Sequence, residues 1–384
     1  MSVRMKPVRI RYAKWKNEGI ALLLALLFVV LLSAIVTDFM YKIHVEASLV
    51  SSSNSDHDAY LAAKTGVATA MSILHADRIT NIEESGDVGG IYDGLDESWA
   101  QSSSVISFND DVVNLTITDE YGKINLNALV FENSEGGEEE VRAALELVVR
   151  DVFMLYLGME EDPTDLILDW LDGDENGREQ GAESDYYESL DPPFSCKNGP
   201  MDSIEELLLL PGITPEIYFG LPSEEEQFEN AGLPPEEGGR QLIPLFELFT
   251  VHGHPEGKIN INTTPIPGEI MTSISIAQDL PYMGIEETLQ RLEENDPFVN
   301  DQELNAAPYI LSAPVHQEGD PGNATNEVPL PPMFTTESNV FRILSDAQSN
   351  DSQVRIETYV FRDPSDNQNP EPQLFRVLDW RVIR

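Results

Sequence analysis

The sequence predicts an α+β fold in which a long N-terminal helix packs on an antiparallel sheet and a large, mainly α-helical domain is inserted between strands. Three observations carry this. An apolar run near the N terminus continues into an Ala-rich helical segment. Segments rich in β-branched residues follow it and then return at the C-terminal end. Between them lies a stretch of helical character punctuated by Pro and Gly. At 384 residues the chain exceeds one small core, and 41% hydrophobic with 8% aromatic residues is the composition of a folded protein. The charge balance is extreme, with 23 basic against 68 acidic residues and a net charge of −45. Phosphate binding needs clustered Lys and Arg, so nucleic acid is a poor partner for the bulk of this chain. Two readings of the acidic excess are compatible: a solvated, self-repelling surface, and carboxylates neutralised by bound cations. The single cysteine, Cys196, rules out an intrachain disulfide, so any staple must come from packing or from metal.

The first element is the anchor. Residues 1–19 carry Arg4, Lys6, Arg9, Arg11, Lys14 and Lys16 against Glu18 alone, and residues 20–37 then run without a charge. Eighteen apolar residues are about enough to cross a hydrocarbon core as a helix, and the basic flank places the N terminus in the cytoplasm. The transmembrane helix is expected over 20–41. A cleaved secretory signal would show a shorter apolar run and a small-x-small site, whereas Asp38, Phe39, Met40, Tyr41 and Lys42 follow here. A plain signal anchor is the other alternative. Against it stands the junction at Gly19 and Ile20, a small residue directly between charged leader and apolar run, which resembles a prepilin leader (1–19) cut before the helix.

Residues 42–130 are expected to continue the helix to about residue 77 and then to supply the first strands. Ala62, Ala63, Val67, Ala70, Met71 and Leu74 recur at three- and four-residue steps, so one helix face can lie on a sheet. Residues 79–100 read as a loop ending at Trp99, and VISF and VVNLTITDEYGKINLN read as strands. The inserted domain is expected over 131–315, with helices in EEVRAALELVVRDVFMLYL and PTDLILDWL. A polar linker opens the last segment, 316–384, whose remainder holds three strands separated by turn-rich DAQSND and DPSDNQNPEP.

The strongest chemical motif is Asp172-Gly173-Asp174-Glu175-Asn176-Gly177 followed by Glu183, which fits the spacing of an EF-hand calcium loop. Oxygen ligands at Asp172, Asp174 and Asn176 curl round one ion, Gly177 allows the sharp turn, and Glu183 can close the shell with two oxygens. The backbone carbonyl of Arg178 would supply the seventh position, with Gln180 at the ninth. Asp169 and Asp185 are nearby carboxylates for a second ion. Glu179 stands where an EF-hand has an aliphatic residue, and the following helix is weak, so this is an EF-hand-like loop in another fold. An acidic surface turn is the alternative. Hard oxygen ligands favour Ca²⁺, in a structural role, over zinc. No nucleophile or triad spacing accompanies these carboxylates, so an enzyme is not expected.

Residues 203–221 read as a Ser-capped short helix, a turn at Pro211, Gly212 and Ile213, and a second helix. Such helix-hairpin-helix units can bind DNA phosphates through backbone amides, and a membrane-anchored DNA-uptake receptor is therefore the alternative function. Glu205, Glu206 and Glu216 surround this turn where that role needs cations, which favours a packing or protein-contact module. KININTTPIPGEI, from Lys258, reads as the start of a similar unit.

Taken in order, NEGIALLLALL, AYLAAKTGVATAMSIL, DEYGKINLN, DWLDGDENGREQGAESDYY, KNGPMDSIEELLLLPGIT, KININT and the closing LDWRVI resemble the K-type minor pseudopilins of bacterial type II secretion. The resemblance implies a pilin-like fold with a calcium-binding helical insert. It implies cleavage and methylation by prepilin peptidase, an inner-membrane anchor and a periplasmic C-terminal domain. It also implies a complex with I- and J-type minor pseudopilins at the pseudopilus tip, serving secretion across the outer membrane. Leu24 stands where most prepilins carry Glu, and the K type omits that charge; a subunit with none above it has no amine to pair there. The acidic stretch 224–239 lies outside the resemblance.

Overall fold

A computed structural model describes residues 18–85, 92–101, 104–108, 111–132, 139–221, 243–277, 285–306, 314–315, 328–329, 333–363 and 375–383. The leader up to residue 17, the stretch 224–239, and most of the linker expected at 316–332 lie outside the described residues. Helix α1 spans Glu18–Ser85 in one piece. Its first half stands clear of the rest: Leu22, Leu26, Phe28, Leu32 and Phe39 are exposed. Among the described residues it is the one helix long and apolar enough to cross a membrane. Ser33 and Thr37 return their hydroxyls to carbonyls four residues earlier, at 2.8 Å, so neither side chain leaves an unmet donor in that stretch.

The second half of α1 is held by a five-stranded antiparallel sheet. We label its strands β1 (Ser104–Phe108), β2 (Asp111–Asp119), β3 (Val340–Ser349), β4 (Ser352–Arg362) and β5 (Phe375–Ile383), and they lie in that order. Alternation buries one face of β2 and β3 and leaves the other exposed on β2 and mostly half-buried on β3. The buried face meets α1: Ala59, Ala62, Ala63, Val67, Ala70 and Leu74 pack on Leu115, Phe341, Ile343 and Ile356. Small residues let the helix come close. A Cβ at Gly66 would stand 2.2 Å from Ser345 Oγ and 2.8 Å from Val113 Cγ1. The helix extends eight residues beyond the expected end near residue 77, because Asn81 finds partners in the following segment, donating to the Tyr92 carbonyl at 3.0 Å and to Glu97 Oε1 at 2.6 Å.

The insert enters after β2 and leaves before β3. These strands are neighbours, with Asp119 opposite Phe341, so entry and exit meet at one end of the sheet. A long insertion between adjacent strand ends disturbs the ladder little. The insert has its own core, drawing on residues from Ile124 to Phe334 and including Leu145, Phe153, Leu168, Trp170, Phe249 and Ile270. Helices α2 (Ala143–Asp151) and α3 (Thr164–Leu171) belong to it.

Three local expectations differ from what forms. Glu139–Val141 is a short strand paired with Val130–Glu132, where helix was expected to begin. Val152–Tyr156 continues α2 as a π-helical turn, the Leu157 amide reaching back five residues to the Val152 carbonyl at 2.9 Å. The segment at Lys258 opens with a strand that was not expected, Ile259–Asn260, parallel to Phe334–Thr335, ahead of a helix at Pro267–Ala277. There the Asn260 side chain bonds the Asp93 carbonyl, Asp119 Oδ2 and Ser338 Oγ, which ties the insert to the sheet.

Candidate metal centre

The loop begins where α3 ends. Asp162 starts that helix, accepting from the Thr164 amide at 2.9 Å and its hydroxyl at 2.6 Å. The helix runs for eight residues, and the chain turns extended at Asp172. Helical spacing sends Asp169 inward, where it is fully buried, and places Asp172 at the mouth of the loop. Asp174 Oδ1 accepts from the Asn176 amide at 2.7 Å, closing the turn that the Asp-x-Asn spacing predicts. Glu183 precedes a one-turn helix, α4 (Ser184–Tyr187), and its carboxyl comes back over the loop.

The result is a convergent group. An oxygen from each of Asp172, Asp174 and Glu183 lies within 4.8 Å of the others. Three of the oxygens in this group, Asp172 Oδ1 and both of Glu183, are buried without a hydrogen-bond partner. Like charges at this separation oppose ionisation. Burial first, then Asp169 and Asp172, push Glu183 up to about 7. Asp172 is also raised by burial, against the pull of Arg178.

Arg178 was expected to offer its backbone carbonyl. That carbonyl accepts from the Gly181 amide at 3.2 Å, while the guanidinium bonds both Asp169 Oδ1 and Asp172 Oδ2 at 2.5 Å. A cationic side chain thus already offsets part of the charge. Asp169 is committed to this side, taking the Arg178 amide as well, at 3.1 Å. A Cβ on Gly181 would sit 1.8 Å from Asp169 Oδ2, so only glycine admits that carboxylate. Asn176 and Asp185 are exposed, and Asp185 does not join the convergent group.

The loop is fastened to the insert core. Asn198 donates to the Asp174 carbonyl at 3.0 Å and to Glu175 Oε1 at 2.9 Å. Trp170, Tyr187 and Phe194 form an aromatic cluster beneath, with Trp170 Nε1 on Glu206 at 2.9 Å. Glu206 also completes a capping box with Ser203 at the start of Ile204–Leu209, which is a 3-10 helix. Gly212 holds the hairpin turn at φ +83°, a conformation in which glycine avoids strain, and Ile213 is buried. Thr214 caps Pro215–Phe219. The basic side chains beside this unit are paired, Arg381 of β5 with Glu205 at 2.8 Å and Lys197 with Glu206 at 2.7 Å. The hairpin therefore packs insert against sheet and presents acid to solvent, a poor phosphate site.

A carboxylate group elsewhere escaped the sequence reading: Asp77, Asp93 and Glu97 come together from separate segments with no fixed spacing.

Residues 122–223 match the family model described as type II secretion system (T2SS), protein K. Type II secretion system protein K of Klebsiella pneumoniae is 26% identical over 210 residues, 53% of this chain and 60% of that protein. Its counterpart in Aeromonas hydrophila is 24% identical over 213 residues, 54% and 62% of the two chains. The match thus spans about 60% of these relatives' own length. A chain of the crystal structure of the GspK-GspI-GspJ complex from enterotoxigenic Escherichia coli superposes with a TM-score of 0.57 at 17% identity, over 87% of this chain and 99% of that one. The fold is therefore shared, and the resemblance read from the motifs holds in family model, relatives and fold alike.

Proposed function

We propose that this chain, similar to protein K of type II secretion, is a K-type minor pseudopilin. In this reading it stands at the tip of the pseudopilus and takes part in its assembly and in protein secretion across the outer membrane. The observation that supports it best is the combination of an exposed apolar half-helix with a pilin-like sheet interrupted by the insert matched at 122–223. Its role is structural rather than catalytic. The apolar half of α1 anchors it once in the inner membrane, with the sheet and insert in the periplasm, after prepilin peptidase has cut and methylated at Gly19-Ile20. The I- and J-type minor pseudopilins are its partners, by analogy with the complex just described. The acidic hairpin disfavours a DNA-uptake receptor.

In the same reading a structural Ca²⁺ is held by Asp172, Asp174 and Glu183, with Asn176 and the Arg178 carbonyl turning in to complete the shell. The orphaned Glu183 oxygens and their convergence with Asp172 and Asp174 support a cation there. The test has two arms. Co-expressed with I- and J-type minor pseudopilins of the same genome, the full chain should co-purify as a stable complex; a chain that stays alone, and whose deletion leaves secretion intact, would sink the pseudopilin reading. In thermal unfolding in detergent, Ca²⁺ at a hundredfold excess over Kd should add about 2.7 kcal/mol, or roughly 3–4 °C for a chain of this size. Asp174→Ala and Glu183→Ala should each cut the shift, and a shift left undiminished in both variants would overturn the loop site.

A further inference from the structure

A second set of carboxylates meets where α1 crosses the end of the sheet. Asp77 comes from α1, Asp93 and Glu97 from the turn-rich segment 92–101, and an oxygen of each lies within 4.8 Å of the others. Asp93 and Glu97 are buried and Asp77 is 9% exposed. Their surroundings are unequal. Arg362 of β4, itself fully buried, donates to Asp93 Oδ1 at 2.6 Å and Oδ2 at 2.8 Å, and the Ser338 amide adds to Oδ2 at 2.8 Å. Glu97 receives neutral donors only: Asn81 on Oε1 at 2.6 Å, and Trp99 Nε1 at 2.8 Å with the Gly94 amide at 3.0 Å on Oε2. Asp77 Oδ2 is buried and has no hydrogen-bond partner, in a residue whose carboxylate belongs to this convergent group. Arg78, the next residue, turns to Glu337 at 3.0 Å.

One guanidinium, that of Arg362, hydrogen-bonds the cluster, and only at Asp93, while Arg362 and Arg78 act on Asp77 through space without offsetting its burial. Burying an ionised carboxylate with no cation beside it is costly, and removing that cost requires either a proton or a metal. Burial, with mutual repulsion second, pushes Asp77 up to about 7 and Glu97 to about 8, so protons and a cation would compete for the same oxygens near neutrality. The donor set distinguishes among cations. It contains oxygen alone, without His or Cys, which selects a hard divalent ion over a transition metal. Each carboxylate oxygen has two lone pairs, so the Arg362 and Ser338 contacts leave Asp93 capacity to ligate. Ca²⁺ tolerates such an irregular shell better than Mg²⁺, which demands near-octahedral geometry.

We propose that Asp77, Asp93 and Glu97 form a second divalent-cation site, suited to Ca²⁺, which clamps the end of α1 to the segment 92–101. It is separate from the 172–183 loop in residues and in the core it joins. An ion there would fix the last turns of α1 against the sheet where the insert also enters.

The test uses the full chain in detergent, with the loop silenced by Asp174→Ala and Glu183→Ala so that the two sites fail independently. Equilibrium dialysis at about 1 mM free Ca²⁺, the upper end for extracellular calcium modules, counts bound ions. Terbium emission excited through tryptophan reports the location, because the Trp99 indole contacts Glu97. In the silenced background one ion per chain and strong sensitised emission are expected, and Asp77→Asn with Glu97→Gln should remove both. No bound ion in that background, in a chain folded by far-UV circular dichroism, means that protons alone occupy the cluster and overturns the proposal. So does an ion that persists in the folded Asp77→Asn, Glu97→Gln chain. If those variants do not fold, Trp99→Phe decides: emission falling at least tenfold with one ion retained supports the site, and unchanged emission overturns it.

Discussion

At the scale of single residues, buried acids dominate this chain, and each is resolved differently. Asp172 and Asp169 share Arg178, Asp93 has Arg362, and Asp119 relies on neutral donors. Asp119 accepts from the Tyr121 amide at 2.8 Å, Asn260 at 3.0 Å, and Thr263 and Ser338 hydroxyls at 2.6 Å each. Burial outweighs these bonds and pushes its pKa from 3.8 up to about 6. The folded state therefore holds a proton that the unfolded chain has released, and the sign follows. Asp119 favours folding most below pH 4, and its contribution declines as pH rises from 4 to 6. Two units correspond to about 3 kcal/mol at most. Asp119→Asn, whose amide can donate to the two hydroxyls as the protonated acid does, should flatten the slope of unfolding free energy against pH by about that amount. Chemical denaturation at pH 4, 5, 6 and 7 measures it, and parallel profiles for parent and variant would refute the assignment.

At the scale of elements, α1 depends on close approach to the sheet. Gly66 faces Ser345 and Val113 with no room for a side chain, so the helix tolerates glycine's lower propensity there. Gly66→Leu should cost about 3 kcal/mol through overpacking, read as a lower denaturation midpoint with unchanged far-UV signal at low denaturant. A cost below about 1 kcal/mol would mean that helix and sheet are not in firm contact there. Much of this arrangement was legible beforehand. The Ala-rich face of α1, the alternating β2 and the three closing strands follow from periodicity and β-branched content, which act locally. The convergence of Asp172, Asp174 and Glu183 was legible from spacing because one loop of backbone brings them together. What stayed hidden depends on distant partners. Glu139–Val141 is a strand only because Val130–Glu132 lies beside it, and Val152–Tyr156 widens to a π turn within the insert core. The guanidinium of Arg178 and the meeting of Asp77, Asp93 and Glu97 leave no pattern of spacing to find.

At the scale of the whole molecule, two cores must act as one body on a membrane-compatible helix while the chain carries a net charge of −45. No disulfide can join them, since Cys196 has no second cysteine to pair with. The join is polar and buried. Glu120, just past the end of β2, takes Lys123 Nζ at 2.7 Å and the Thr250 hydroxyl of the insert, and Lys123 also reaches the Phe246 carbonyl at 3.1 Å. Arg342 of β3 lies 3.9 Å from Glu120 and pairs with Glu247 of the insert at 2.8 Å. Burial alone would raise the Glu120 pKa, but Lys123 and then Arg342 hold it below the usual range, so the group stays ionised. Breaking a buried pair from one side leaves an uncompensated charge, whereas replacing both partners with apolar groups does not. Lys123→Met should therefore lower unfolding free energy by about 3 kcal/mol, with Arg342 limiting the loss, and Lys123→Met with Glu120→Leu should recover most of it. Separate probes add the decisive reading: tryptophans Trp99 and Trp170 sit in the sheet core and the insert core respectively. With Trp15→Phe and Trp380→Phe in the background, and Trp99→Phe or Trp170→Phe added to isolate each signal, parent transitions should coincide, and Lys123→Met should split them, the insert unfolding first. Coincident transitions in Lys123→Met with undiminished stability would show that the two cores are coupled through some other contact.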